Sequence, residues 1–203
     1  MQLAPSQFLV LGFILTIAAL AIAAQTPAPP TSKPSFTCVN EEVVVNAPLA
    51  DVWYAWTTND GAQTFFAPKT EIELFPGGSY NILFMPDNPP DQRGAEDQKV
   101  LSFLPMQILS FDWGAPPKFP FARKHPGWVV IQFEAMDDTH THVQLTHLGF
   151  DELKSKYPDH AEEFEHVHEY FAKAWPYVLG NLKRRFDEGP RFDANGKEVW
   201  TTS

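Results

Sequence analysis

Seven histidines and a single cysteine are the side chains best able to do chemistry in this chain of 203 residues. His147 shares its parity with Val143 and Leu145 in an alternating run, so it points inward with them. A histidine in an apolar cavity serves as a general base or orients a ligand. The commoner use is a core histidine with its nitrogens satisfied. His140 and His142 take the opposite face. His160, His166 and His168 fall among Glu162, Glu165 and Glu169. His166 has Glu162 and Glu169 at helical spacing, but no further ligand is placed, and no metal is assigned. Lone Cys38 makes no disulfide within the chain and no Cys-rich zinc site. It is either buried as a small apolar residue or paired between two chains. Arg93, Arg123, Lys124 and His125 form a basic group on loops of an otherwise acidic chain, suited to an anionic head group. A solvated surface cluster is the alternative. There is no Gly-rich phosphate loop, no Gly-x-Ser-x-Gly elbow and no His-Glu-x-x-His. No catalytic residue and no cofactor follow from the motifs.

The composition narrows the classes. The chain is 44% hydrophobic and 14% aromatic, with 17 Phe, 6 Trp and 19 Pro. That excludes a disordered chain and a coiled coil. A net charge of -10 argues against a nucleic-acid partner, which needs a basic face. Residues 1–30 carry no Asp, Glu, Lys or Arg. From Phe8 to Ala24 only Gly12 and Thr16 fall outside the apolar set, and the run ends Ala21-Ile22-Ala23-Ala24. Residues 1–24 read as a signal peptide cleaved after Ala23 or Ala24, or else as a retained membrane anchor. The first reading makes the protein exported, periplasmic or secreted. Membrane contact is expected only through this segment. Residues 25–35 form a Pro-rich linker, and 36–188 are the domain.

The elements that position these residues follow from periodicity. Residues 36–46 read as a strand around Val43-Val44-Val45. Pro48 opens a helix whose apolar side is Val52, Trp53, Ala55 and Trp56, and a short helix follows over 61–66. Alternation then marks Glu71–Leu74 and Tyr80–Met85 around the turn Pro76-Gly77-Gly78. Further strands fall at 99–104, 108–113, 128–136 and 140–148, with long loops at 86–98 and 114–127 and a link at 149–158. A helix over 159–188 carries Phe164, Val167, Phe171, Trp175, Val178, Leu182 and Phe186 at steps of three and four. Pro176 is expected to kink or split it. The tail, 189–203, carries Asn195-Gly196 as a small hairpin turn. The fold class is α+β, with a six- to seven-stranded antiparallel sheet wrapped around the last helix and two short helices after the first strand.

Several motifs resemble the helix-grip (START-like, Bet v 1-like, SRPBCC) superfamily, and most closely its activator of Hsp90 ATPase homologue-like branch. They are Ala47-Pro48 with Val52-Trp53-Ala55-Trp56-Thr57, Gly77-Gly78-Ser79-Tyr80, and Val100-Leu101 with Pro105 and Leu109-Ser110-Phe111-Asp112-Trp113. Val143-Gln144-Leu145-Thr146-His147 and Trp175 with Leu179 and Leu182 complete the set, which spans 38–188. The resemblance implies a cavity between sheet and long helix that takes a hydrophobic or amphipathic small molecule. It also implies two alternatives: a co-chaperone-like protein-interaction domain, or a cyclase- or hydratase-like enzyme with His147 as base. The chain is expected to be a monomer or dimer.

Alternation supports the cavity independently by placing Ile72, Leu74, Tyr80, Ile82, Phe84, Leu109, Phe111, Trp113, Val129, Ile131, Phe133, Val143 and Leu145 on one face. A packed aromatic core is the alternative. The expected ligand-binding residues are Trp53, Tyr80, Phe84, Phe111, Trp113, Phe133 and His147, with Phe171 and Trp175 from the helix. Parity puts the connections 86–98, 114–127 and 149–158 at one end of the meander, which is the expected mouth.

Overall fold

The computed structural model describes residues 37–200. The readings for 1–24 and 25–35 lie outside the described residues. The β-branched run places β1 at Val39–Val45. Pro48, which lacks an N–H that the first helical turn does not need, immediately precedes α1, Leu49–Thr57. Thr58 then leaves the helical region and its hydroxyl accepts from the Gly61 N–H. That caps α2, Asn59–Ala62, which sits slightly earlier than its sequence pattern suggested.

Seven more strands follow: β2 Lys69–Ile72, β3 Tyr80–Leu83, β4 Gly94–Ala95, β5 Val100–Leu104, β6 Ile108–Trp113, β7 Gly127–Ala135 and β8 Thr141–Leu148. They pair antiparallel in two sheets, ordered β1-β8-β7-β6-β5 and β2-β3-β4. A bridge from Ser79 to Lys99, flanked by hydrogen bonds between Val100 and Gly77-Gly78, joins them. The stretch 94–104 therefore pairs with β3 at its start and with β6 at its end. The register slips between Val100 and Ser102, the kind of irregularity that bends a strand and lets the surface curve.

The sheet closes on α4, Ala161–Glu188, whose Phe164, Val167, Phe171, Trp175, Val178 and Leu182 are buried. One expectation is narrowed and another needs correction. Of the two outcomes expected at Pro176, a split does not occur, since α4 runs through it. Pro176 and Ala172, whose carbonyl loses its partner, are both exposed, so the missing bond lies on the solvent side of the helix. The link after β8 is also not plain loop, since Phe150–Lys156 form α3. Its only apolar spacing is Phe150 to Leu153, too short a pattern to announce a helix. The tail makes its hairpin, with Phe192 bridged to Glu198.

Candidate functional site

An apolar cleft of about 210 Å³ lies between α4 and the loop end of the sheet. Phe171, Ala174, Trp175 and Val178 line it from one stripe of α4. Phe66, Phe84 and Trp113 face them. Trp113 touches Trp175 at a centroid distance of 5.3 Å and stacks on Phe66 at 5.7 Å. Small residues leave the space: Ala174 on the helix, and Gly94, Ala95, Gly114 and Ala115 opposite. Gly94 has φ +146°, and a Cβ there would lie 2.4 Å from the Ile82 carbonyl and 2.9 Å from the Phe84 ring. Phe84 stays 41% exposed at the rim.

A buried ionic network holds the mouth in place. The carboxylate of Glu96, 7% exposed, accepts from the Arg93 guanidinium at 2.6 Å and the Arg123 guanidinium at 3.1 Å. It also accepts from the N–H groups of Asp91 and Arg93. Burial pushes its pKa up, but the Arg93 N–H and guanidinium and the Asp91 N–H outweigh that, and the net result lies below the usual glutamate value. Arg123 also donates to the Ala115 carbonyl at 3.0 Å, and the Gln98 side chain accepts from the Gly114 N–H at 2.7 Å. Glu163 near the start of α4 accepts from the N–H groups of Phe121 and Ala122, both at 3.0 Å. The loops 86–98 and 114–127 are thus tied to each other and to α4, at one end, as parity requires.

This corrects the reading of an anion-attracting cluster. Arg93 and Arg123 are spent on Glu96. His125 stacks on Phe121 at 4.3 Å and bonds its carbonyl through Nδ1 at 2.9 Å. Of the four, Lys124 alone is exposed. Nothing in the sequence marked Glu96 as their partner. His166 gains no further ligands: among the described residues no group of three or more His, Cys, Asp or Glu is placed to hold a metal ion.

His147 lies one layer behind the cleft wall and is 1% exposed. The Trp175 indole N–H donates to its Nδ1 at 3.1 Å, so the neutral ring carries its proton on Nε2. Phe150 and Phe171 pack on the ring at 4.8 and 4.6 Å. Burial, with a smaller contribution from nearby His168, lowers its pKa to about 3. A base this weak, with Nδ1 occupied, holds Trp175 in orientation and presents no proton acceptor to the cleft.

The nine residues expected at the site divide. Phe84, Trp113, Phe171 and Trp175 come together in the cleft wall. Trp53, Tyr80, Phe111 and Phe133 do not line it. Trp53 packs edge-on against Phe133 at 5.3 Å. Tyr80 stacks on Phe111 at 4.1 Å and donates its hydroxyl to the Trp56 carbonyl at 3.0 Å. Alternation gives a side chain's face but not whether the layer opposite fills the space. Phe66, Met85, Tyr170 and Ala174 also line the cleft and were not anticipated. Ala174 had a signal: a small residue on the buried stripe between Phe171 and Val178.

The model of the family described as "Activator of Hsp90 ATPase homolog 1-like protein" matches residues 46–187, and so leaves β1 and the C-terminal tail outside. Protein SSP2350 from Staphylococcus saprophyticus is 18% identical, with 75% of this chain and 93% of that chain covered and a TM-score of 0.52. An AHSA1-like protein from Rhizobium etli is 20% identical over 84% of this chain and 94% of that one, with a TM-score of 0.50. The Aha1 dimer from Colwellia psychrerythraea is 18% identical over 75% of this chain and 97% of that one, with a TM-score of 0.50. At these identities the likeness is one of fold. No curated protein matches the chain in sequence. With the family model matched across α1 to α4, on the fold that the resemblance implied, the chain belongs to the activator of Hsp90 ATPase homolog 1-like family.

Proposed function

We propose that the domain is a binding module for a compact hydrophobic or amphipathic small molecule, held between α4 and the mouth loops. The apolar, aromatic-walled cleft carries this reading. Its volume of about 210 Å³ is small for a ligand site and suits a fused-ring compound or one short arm of a larger amphiphile. The apolar run Phe8–Ala24 supports an exported form of the protein, whose ligand would be met outside the cytoplasm.

Two measurements test this. Small molecules extracted from protein purified without detergent from its own host are identified by mass spectrometry, and the fluorogenic N-phenyl-1-naphthylamine is titrated in. A stoichiometric apolar compound, or saturable probe binding removed by Ala174→Trp, supports the reading. An empty extract with no probe binding refutes it. The N-terminal residue of the recovered protein tests export: a start at Ala24 or Gln25 supports it, and an intact Met1 refutes cleavage.

The family match favours a second reading, a protein-interaction domain acting on an Hsp90-type chaperone. It requires the domain to face the cytoplasm. Stimulation of a chaperone's ATP hydrolysis by the protein, undiminished by Ala174→Trp, would select it over the small-molecule reading.

A further inference from the structure

The apolar cleft does not end at Phe84 and Met85. The same two residues line a second, open groove of about 700 Å³ that continues beyond them. Its character differs: Gln63, Lys69, Asp87, Asn88 and Asn195 bring polar side chains to it. Its ionic groups are Lys69, which is already paired with Glu71 at 3.9 Å, and Asp87, so the lining is rich in hydrogen-bonding groups and offers no cation free for an anion. One wall is the tail hairpin, through Ala194–Gly196, which lies outside the segment matched by the family model.

The tail is built to stay there. Gly196 has φ +78°, and its Cβ position is only 3.2 Å from the Pro68 carbonyl oxygen, so the turn sits directly on the domain. The Arg191 N–H donates to the Thr64 carbonyl at 2.7 Å, and the Trp200 indole to the Gly189 carbonyl at 3.2 Å. Arg184 lies over the Trp200 ring at 4.6 Å. A hairpin tied at both ends forms a fixed wall.

We infer that the tail gives the site its head-group specificity: the ligand is an amphiphile whose compact apolar body occupies the cleft and whose uncharged, hydroxyl-rich head crosses Phe84 and Met85 into the tail-walled groove. This rests on the small-molecule reading above. Asp87 in the lining and the pairing of Lys69 with Glu71, on a chain of net charge -10, disfavour an anionic head.

The test compares probes that share one ring system: 2-naphthyl β-D-glucopyranoside, 2-methoxynaphthalene and 2-naphthyl phosphate, by calorimetry on protein purified from its own host. The glucoside is expected to bind about tenfold tighter than the methyl ether, the worth of one or two net hydrogen bonds. The phosphate should gain nothing. Removing residues 190–203 should bring the glucoside to parity and leave the ether unchanged. Because that truncation strips contacts from α4, the double substitution Asp87→Ala with Asn195→Ala, at two exposed positions, serves as a second variant and should reduce the preference at an unchanged Tm. Equal binding of glucoside and ether, a preference that survives loss of the tail, or tighter binding of the phosphate overturns the inference but leaves the cleft in use. If none of the three binds, the small-molecule reading falls with it.

Discussion

Both ends of the sheet–helix interface are walled with aromatic rings, yet one end is filled and the other is open. Near the tight turns, Trp53 meets Phe133, Tyr80 stacks on Phe111, and Trp56 meets Phe65 edge-on. The Trp56 side chain is fully buried, and its indole N–H has no hydrogen-bond partner among the described residues. At the loop end, Trp113, Phe171 and Trp175 also touch one another, but Ala174, Gly94, Ala95, Gly114 and Ala115 share the lining with them. Ring against ring fills space, while ring against Ala174, Gly94 or Gly114 leaves it. Aromatic content therefore says little about a cavity, and the size of the residue opposite decides.

That contrast can be broken from either side. The largest effect should come from the filled end: Tyr80→Ala removes a fully buried ring and its hydrogen bond to Trp56, and should cost about 3–5 kcal/mol in urea unfolding. A loss under about 1 kcal/mol would mean that this end is not close-packed. At the open end, Glu96→Ala should cost about 2–3 kcal/mol, because it strands Arg123 and frees two loops, with a discount for the solvent that reaches Arg93. Probe release should quicken in the same variant. Glu96→Gln, which keeps some of the hydrogen bonds, should fall between.

Acid sharpens the comparison. His147 has a pKa lowered to about 3 in the folded protein, against about 6.5 unfolded, so below neutrality the unfolded chain binds the proton first. Its contribution to stability is present above pH 6.5 and is lost as pH falls toward 3, by up to about 1.4 kcal/mol per pH unit. Glu96, held below its ordinary value, adds acid lability only at lower pH, once unfolded glutamates protonate. Stability measured between pH 6 and 5 should thus slope in the wild type and flatten in His147→Gln. An unchanged slope would place the lability elsewhere. The smallest effect on stability should be at the cleft itself. Ala174→Leu should shift unfolding by less than about 1 kcal/mol, since it fills existing space, yet weaken N-phenyl-1-naphthylamine binding more than tenfold. Unaltered binding would move the ligand away from α4.

Much of this was legible in the residues. Alternation located the strands around the tight turns, buried His147, and put the long connections at one end. The spacing of Phe164 to Leu182 set the sheet-facing stripe of α4. These are local periodic properties, and a strand or helix expresses them wherever it packs. The tertiary structure decided the rest. It sent Arg123 to Glu96 rather than to a ligand, a choice made across 27 residues by which loops meet, while Arg93 reaches the same carboxylate from three residues away. It carried α4 through Pro176 because the missing bond faces water. It assigned Trp113 and Trp175 to a cleft and Tyr80 and Phe111 to solid packing. It laid the tail beside that cleft as a second wall. A cavity is the difference between two facing surfaces, and periodicity describes each surface without its partner.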